Sequence, residues 1–400
     1  MCSVMVICVL ISRFALRVAV GGRLGLAEGP VALAPEPGSE AVLGEVSSAA
    51  EAFGVRPGMR LGEAMARCPQ LRLIPSDPVG AADAWDSLLT RLEQIGAEVE
   101  SRAPGTVWFE ADGLRNLHGG SVEGVVAAAR RVFKHPVRIG VAPARFAAFA
   151  AATRARSRRA EIAPRGHAAL AAYLAPLPVD LLAARPETAA LAPLLRRFGI
   201  ETLGELAALP RPALADRFGS AGIVAVDFAH GRDSRLIARQ PLERLEEKLE
   251  LSEAADGSQL ERALELLIDR LLARRERRGR TVRSVVMSAR LVEGGTWRTR
   301  LTFREALADS RRMRLVLTPK LAELPAPADA LLLRAEGFGP AAGEQKSLLE
   351  EPHAVRSARL REAVRQARAV AGPDAALRVF TIDPHSRVPE RRLGLAPWDP

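Results

Sequence analysis

The hydrophobic pattern of the first 165 residues predicts an alternation of buried strands and amphipathic helices. Val4 to Ile11 is an unbroken apolar run rich in β-branched residues, as expected for a strand buried on both faces. Residues 81–98 place apolar side chains every three or four positions, which predicts an amphipathic helix. The same pattern predicts strands at Thr106–Glu110 and Val137–Val141, and helices at Val122–Val132 and Phe146–Arg156.

After about residue 166 the chain predicts short helices separated by prolines. Residues 194–219 read LLRRFGIETLGELAALPRPALADRFG, which predicts two short helices around a Gly-Ile turn and then a second pair. Backbone amides at such a turn and at the next helix N-terminus can bind a DNA phosphate without reading sequence. We therefore predict DNA contacts at Gly199, Ile200 and Gly204, with an ordinary αα-hairpin as the alternative.

A third pattern, covering residues 245–340, predicts a β-α-β-β-α-β order. Residues 232–250 before and at its start are charged and polar, which indicates a linker followed by an edge strand. The remaining predicted elements are a helix at Gln259–Arg278, strands at Thr281–Leu291 and Thr296–Phe303, a helix from about Met313, and a strand at Ala330–Gly337.

Positive charge is concentrated in this third region. The chain has a net charge of +10, and residues 270–320 hold 15 Lys or Arg against 4 Asp or Glu. Such a concentration favours a polyanion, most simply nucleic acid, over the alternative of a solvated Arg-rich surface from a GC-rich genome. We predict DNA contacts at Arg274, Arg275, Arg277, Arg278, Arg280, Arg283, Arg298 and Arg300.

Cysteine usage and the apolar N-terminal segment bear on the compartment. Cys2, Cys8 and Cys68 form neither a disulfide framework nor a metal-ligand spacing. The first 20 residues lack the basic start of a signal peptide and are interrupted by Arg13 and Arg17. We expect a buried strand leading into a helix, a cytoplasmic protein, and no membrane partner.

The stretch between residues 46 and 75 contains FGVRPGM followed by EAMARCPQL. This sequence resembles the fingers segment of Y-family (UmuC/DinB-like) DNA polymerases, and the resemblance extends over about residues 4–340. It implies an α+β fold with Y-family polymerase-like architecture. The implied domains are palm-like at 1–22 and 76–165, fingers-like at 23–75, a helical thumb with the helix-hairpin-helix-like segment at 166–235, a little-finger-like DNA-binding domain at 245–340, and a C-terminal tail at 341–400.

In this family, nucleotidyl transfer uses two Mg²⁺ ions held by acidic side chains. The resemblance places the first carboxylates near Cys8 and Leu10 and the second pair at Gly105 and Thr106. None of these four residues is acidic. We therefore expect no catalytic residue, no bound metal and no cofactor.

The positions that the resemblance assigns to triphosphate contacts also differ. The family's Tyr and Arg before Phe-Gly-Val align with Ser48 and Glu51, and a cationic position of a later helix aligns with Phe149. A carboxylate at position 51 would repel a triphosphate where the family has an attracting arginine. The resemblance is therefore to catalytically inactive, ImuB-type members of the family, which are accessories of mutagenic translesion synthesis.

Such members imply protein partners: the sliding clamp, an ImuA-type RecA-like protein and an error-prone C-family polymerase. In the tail, Gln345-Lys346-Ser347-Leu348-Leu349 resembles the pentapeptide with which bacterial proteins bind the clamp. We predict that Gln345, Leu348 and Leu349 make that contact, with the glutamine donating hydrogen bonds and the two leucines filling a groove.

Two other functions stay open from the sequence. One is an active lesion-bypass polymerase whose acids are relocated to Glu100, Glu110 or Asp112. The other is a regulatory DNA-binding module unrelated to replication, which would not associate with the clamp.

Overall fold

The structure is a computed structural model that describes residues 4–21, 29–35, 40–133, 135–241, 243–341, 352–372 and 375–397. The chain divides into two compact units, Met1–Leu242 and Glu243–Pro400. Each unit has its own sheet and its own buried apolar core. Helices and largely antiparallel strands are mixed in both units, which confirms the predicted α+β class.

Strands and helices alternate in the first half of the first unit, and helices dominate its second half. The elements are β1 (Val6–Leu10), α1 (Phe14–Val20), β2 (Val31–Leu33), α2 (Ser48–Ala52), α3 (Leu61–Arg67), β3 (Arg72–Ile74), α4 (Pro78–Gln94), β4 (Glu100–Ala103), β5 (Thr106–Glu110), α5 (Val122–Val132), β6 (Arg138–Ala142), α6 (Arg145–Arg154), β7 (Glu161–Ile162), α7 (His167–Leu174), α8 (Leu191–Arg197), α9 (Leu203–Ala207) and α10 (Arg211–Ala229).

The main sheet of this unit has the strand order β4-β5-β1-β6-β7. Its central strand β1 is antiparallel to both β5 and β6, and side chains on alternate positions face opposite sides. Ile7 and Val9 pack into the core formed with α4 and α5. Cys8 and Trp108 face the other side, where α6 and the helices α7 to α10 bury them. The continuous apolar run at the N-terminus is thus a strand covered on both faces, as its composition predicts.

A small subdomain lies between α1 and α4 in the sequence. β2 and β3 pair in parallel. Ser47 caps α2, because its hydroxyl oxygen accepts the N–H of Ala50 at 3.2 Å. A separate apolar cluster that includes Val55 and Cys68 holds α2 and α3 together.

The second unit has the predicted β-α-β-β-α-β order, followed by C-terminal elements. The elements are β8 (Leu245–Ala255), α11 (Gly257–Ala273), β9 (Arg280–Leu291), β10 (Thr296–Leu307), α12 (Ser310–Leu321), β11 (Ala328–Ala341), α13 (Pro352–Ala371), β12 (Leu377–Thr381) and β13 (Leu393–Pro397). The antiparallel sheet has the order β10-β9-β11-β8, and α11 and α12 both pack on one of its faces.

Helix α11 is shorter than predicted, since it ends at Ala273 rather than at Arg278. Arg274 leaves helical geometry, and Arg275–Arg277 form a single 3-10 turn. Like charges three and four positions apart destabilise an α-helix, which explains why the arginine run does not extend it.

No helix in the described part of the chain is long and apolar enough to cross a bilayer.

Candidate functional site

The end of β1 meets the turn between β4 and β5 at one edge of the main sheet. Leu10 pairs directly with Thr106 across the two strands. The next residue, Ile11, donates its backbone N–H to the carbonyl oxygen of Gly105 at 2.8 Å. Cys8 lies two residues further into the sheet, opposite Trp108, and is fully buried. The structure therefore brings together three of the four positions named from the sequence.

This edge lacks the donor atoms that two Mg²⁺ ions need. Such ions are held by carboxylate oxygens, whereas Leu10 and Gly105 have no side-chain donor and Thr106 has one hydroxyl. Burial raises the pKa of the Cys8 thiol well above its ordinary value, so it is no thiolate ligand at neutral pH. Among the described residues, no three His, Cys, Asp or Glu side chains are grouped to hold a metal ion. The residues present do not fit a two-metal site.

The backbone at Gly105 is adapted to glycine. Its φ is +97°, which L side chains rarely adopt, and a Cβ there would lie 3.1 Å from the carbonyl oxygen of Ile11 and 3.4 Å from Cβ of Phe14. A carboxylate at this position would therefore require the turn or β1 to move.

Glu100, the first relocated acid considered above, is engaged inside the protein. It is 6% exposed and forms a salt bridge with the buried guanidinium of Arg145. Its second carboxylate oxygen accepts the backbone N–H of Ile237 at 2.8 Å. Both oxygens of this buried carboxylate are thus already bound within the chain, and a metal ion would have to compete with the Arg145 guanidinium for them.

The other two relocated acids lie at the wrong end of the sheet. Glu110 pairs with Val6 at the opposite end of β5 from Thr106, about 13 Å along the strand. Asp112 accepts the N–H of Met5 at 2.9 Å and forms a salt bridge with Arg115. The structure therefore does not bring the alternative acids to the edge where β1 ends.

A buried ionic cluster lies on the same face as Cys8 and Trp108. Asp233 accepts a hydrogen bond from Arg145 at 2.9 Å and pairs with Arg185 at 3.3 Å. All three side chains are at most 2% exposed. Burial lowers the pKa of Arg185, and the neighbouring Asp233 carboxylate opposes that shift.

The cluster is attached to the sheet through Trp108. The indole N–H of Trp108 donates to the carbonyl oxygen of Arg145 at 3.1 Å. The Arg185 guanidinium lies 6.0 Å from the Trp108 ring and 5.0 Å from the Phe228 ring, within cation–π distance of both. This face of the sheet is thus closed by α6, α10 and paired charges.

The segment after α10, predicted as a linker, is pinned to the first unit as far as Arg239. Arg239 donates its backbone N–H to Val99 at 2.8 Å, and its guanidinium binds Asp86 and Glu93, each at 2.6 Å. As expected for a linker followed by an edge strand, residues 232–241 have no helix or strand and β8 lies at the edge of its sheet. This linker is bound rather than free, because Glu100 and the ion pairs of Arg239 hold it against β4 and α4.

These ionic residues were missed from the sequence. Asp233 is 88 positions from Arg145 and 48 from Arg185, and each pair matches no local motif. The only signal in the sequence was chemical, since Asp233 lies in a run of polar residues and Arg145 opens a mostly apolar helix.

Glu51, which the resemblance aligns with a triphosphate-binding arginine, forms an ion pair within the chain. Glu51 forms a 2.5 Å salt bridge with Arg13, whose Nε also donates to the carbonyl oxygen of Val46 at 2.7 Å. Glu45 accepts the backbone N–H of Leu16 near the start of α1 at 2.9 Å. The carboxylates of Glu45 and Glu51 in the small subdomain therefore accept hydrogen bonds from residues that follow β1.

The other two positions aligned with triphosphate contacts offer no charge. Phe149, a residue of α6, is 8% exposed and packs into the apolar core. Ser48 is the first residue of α2 and carries only a hydroxyl.

The turn between α8 and α9 has the predicted helix–turn–helix form, but its amides are already used. The N–H groups of Gly199, Ile200 and Gly204 donate to carbonyl oxygens at 3.0, 3.1 and 2.9 Å. Thr202 and Glu205 form a reciprocal capping box, and the amides bound by Glu205 lower its pKa. A phosphate at these amides would have to compete with the intrachain acceptors, and the DNA contact at this turn stays a prediction.

Gly204 has a packing reason instead. Its amide bonds to the carbonyl of Ala175, and a Cβ on Gly204 would lie 3.0 Å from that same residue. Close approach of α9 to the end of α7 therefore accounts for the glycine.

The structure separates the predicted DNA-binding arginines into two groups. In the first group, Arg274 to Arg278 lie in the connection from α11 to β9, and Arg280 and Arg283 lie in the first residues of β9. In the second group, Arg298 and Arg300 lie on the edge strand β10 opposite Ser288 and Val286. Several of these arginines are paired within the chain. Arg274 forms a salt bridge with Glu247, Arg280 with Glu243, and Arg300 with Glu336.

The remaining arginines of the first group differ in how free they are. Arg277 and Arg283 donate to backbone carbonyl oxygens at 2.6 and 2.8 Å. The side chains of Arg275 and Arg278 are exposed and have no hydrogen-bond or salt-bridge partner within the described parts of the chain. The α11–β9 connection therefore presents two exposed arginines that form no hydrogen bond or salt bridge within the described residues.

The predicted clamp-binding residues Gln345, Leu348 and Leu349 lie outside the described residues.

Comparison with known proteins agrees with the resemblance. Residues 9–153 match the impB/mucB/samB family model. Protein ImuB of Caulobacter vibrioides (strain NA1000 / CB15N) is 27% identical over 376 residues, covering 87% of this chain and 77% of that protein. DNA polymerase IV of Dehalococcoides mccartyi (strain CBDB1) is 27% identical over 278 residues, covering 67% of this chain and 69% of that protein.

A solved structure, DinB from Sulfolobus solfataricus, aligns with 84% of this chain and 99% of its own, at 15% identity and a TM-score of 0.48. The predicted resemblance to UmuC/DinB-like proteins, including an ImuB, is confirmed by the family match and the curated relatives.

Proposed function

We propose that this chain is a non-catalytic, polymerase-like accessory protein of translesion synthesis in DNA damage-induced mutagenesis. It binds DNA without sequence preference, binds the sliding clamp, and brings an error-prone polymerase to damaged DNA. Similarity to ImuB over most of the chain, together with similarity to DNA polymerase IV, supports this setting.

One observation supports the non-catalytic part most strongly. The edge where β1 meets the β4–β5 turn consists of Leu10, Gly105 and Thr106, and the nearby acid Glu100 is bound by Arg145. Metal-bound charge stabilisation contributes several kcal/mol to nucleotidyl transfer, and this edge has no carboxylate to provide it.

Binding to DNA is proposed for the second unit. Its accessible cations at the α11–β9 connection would neutralise phosphates and release counterions, so binding would weaken as salt rises. The salt bridges of Arg274, Arg280 and Arg300 would have to compete with DNA, so these three arginines would contribute less than Arg275 and Arg278.

The protein partners are proposed from the family resemblance and the tail sequence. Gln345, Leu348 and Leu349 would dock on the sliding clamp. An ImuA-type RecA-like protein and an error-prone C-family polymerase would complete the assembly.

Primer extension tests the proposal. Purified protein should not extend a primed template with Mg²⁺ or Mn²⁺, yet it should shift the same DNA in a binding assay. Template-dependent extension would reject the non-catalytic assignment, and failure to bind DNA would reject the accessory role.

A further inference from the structure

The turn between α8 and α9 exposes an aromatic side chain. Phe198, the residue after α8, is 50% exposed, a large fraction for a phenylalanine in a folded unit with its own core. Since the amides of this turn donate within the chain, its exposed side chains are the groups that it offers freely to DNA.

An arginine covers part of the Phe198 ring. The Arg217 guanidinium carbon lies 3.8 Å from the centre of that ring, which is stacking distance. The Phe218 ring lies 6.2 Å away, tilted by 58°. The contacts with Arg217 and Phe218 therefore restrain the Phe198 ring, while half of its surface remains exposed to solvent.

The surrounding charge suits a phosphate chain. Arg197 and Arg217 are exposed, and neither forms a salt bridge with an acidic side chain in the described part of the chain. Arg196 is the exception in this group, since it pairs with Asp180 at 3.4 Å. The turn thus presents a half-exposed aromatic ring beside two exposed arginines, one of which stacks on that ring.

We infer that Phe198, backed by Arg217, is a stacking platform for an unpaired base of single-stranded DNA. The inference rests on the proposed function, because it takes DNA binding as given and names one contact. Aromatic side chains beside a cationic surface bind single strands by stacking on bases of any sequence. In a duplex the base faces are covered by their neighbours, so a paired strand cannot use the platform.

The test uses the full chain and a single-stranded oligothymidine with one central 2-aminopurine. Wild-type protein should bind it and change the 2-aminopurine emission. Phe198→Ala should weaken binding about tenfold, within the range measured for removal of base–aromatic stacking, and should abolish most of the emission change. Phe198→Trp should bind at least as tightly as wild type, because a larger aromatic ring preserves stacking.

Leu117→Ala is the matched control, since Leu117 is an apolar side chain of the same unit that is 69% exposed. It should bind like wild type. A fully paired duplex should be bound equally by wild type and Phe198→Ala, because it presents no free base.

Each result has a distinct meaning. The platform is overturned if Phe198→Ala binds the single strand as tightly as wild type, if Phe198→Trp loses affinity as much as alanine does, or if Phe198→Ala weakens duplex binding equally. If wild-type protein binds neither DNA, the proposed function fails along with the platform.

Discussion

The Asp233 carboxylate lies 2.9 Å from the Arg145 guanidinium, although the two residues are 88 positions apart in sequence. It also accepts the backbone N–H of Phe146 at 2.9 Å. Asp233 therefore ties the segment after α10 to the first turn of α6, on the sheet face that carries Cys8.

Removing this carboxylate should destabilise the first unit strongly. Asp233→Asn leaves two buried guanidinium groups with less compensating charge, which typically costs about 3–5 kcal/mol in unfolding free energy. Urea unfolding measures it. Asp180→Asn is the control, because its 3.4 Å pair with Arg196 is exposed and should cost less than about 1 kcal/mol. Equal losses for the two variants would show that the buried cluster does not hold this segment.

The turn at Gly105 should tolerate no side chain. Gly105→Ala places a Cβ 3.1 Å from the carbonyl oxygen of Ile11 at a φ of +97°, so we expect a loss of about 1–2 kcal/mol or more. Gly113→Ala is the control, since a Cβ there meets nothing within 4 Å and its φ is not positive. Thermal or urea unfolding compares them; an unaffected Gly105→Ala protein would mean that the turn can rearrange.

Acid should weaken the helical part of the first unit. The hydrogen bond from Arg211 is the main cause that lowers the pKa of Asp227. A folded-state pKa below the unfolded value of about 3.9 gives stability that is fully present above pH 4 and lost as pH falls through the folded pKa. The difference in unfolding free energy between wild type and Asp227→Asn should therefore shrink between pH 4 and pH 2. A constant difference over that range would contradict the assignment.

The accessible arginines should carry the salt dependence of duplex binding. Arg275→Ala/Arg278→Ala should weaken binding and reduce the slope of log affinity against log salt by about 0.9 for each phosphate that the protein no longer neutralises. Arg314→Ala is the matched control, because that arginine pairs with Glu265 at 2.6 Å. If the double variant kept the wild-type salt slope, Arg275 and Arg278 would not be the residues that neutralise DNA phosphates.

The tail motif should determine clamp binding. Replacing Gln345, Leu348 and Leu349 together by alanine should abolish capture of the protein by the immobilised sliding clamp while leaving DNA binding unchanged. Unchanged capture would reject the motif. A wild-type chain that binds DNA but not the clamp would favour a regulatory DNA-binding module.

Local periodicity was enough to predict much of the fold. The helix expected at residues 81–98 is α4 at Pro78–Gln94, and the helix expected at Val122–Val132 has those bounds in the structure. The β-α-β-β-α-β order of the second unit is also as predicted, because strand alternation and helical repeats are both properties of neighbouring residues.

Contacts between distant residues could not be predicted in the same way. Gly204 gives its amide to Ala175 rather than to a phosphate, and only the approach of α9 to α7 decides this. Likewise, the charged residues after His230 have the composition of a linker, and only the fold places Asp233 beside Arg145 and Arg185. Polar side chains are compatible with solvent or with buried partners, so composition alone does not distinguish the two.

The central claim is that the sheet edge where Leu10 pairs with Thr106 has no carboxylates for catalytic metal ions, so the protein synthesises no DNA. Primer extension with Mg²⁺ or Mn²⁺ tests this claim most directly. The protein should add no nucleotide to a primed template that it binds, under conditions in which a catalytic DNA polymerase IV extends the primer fully. Template-directed incorporation that co-purifies with the chain and is lost in a Glu100→Ala, Glu110→Ala or Asp112→Ala variant would contradict the account.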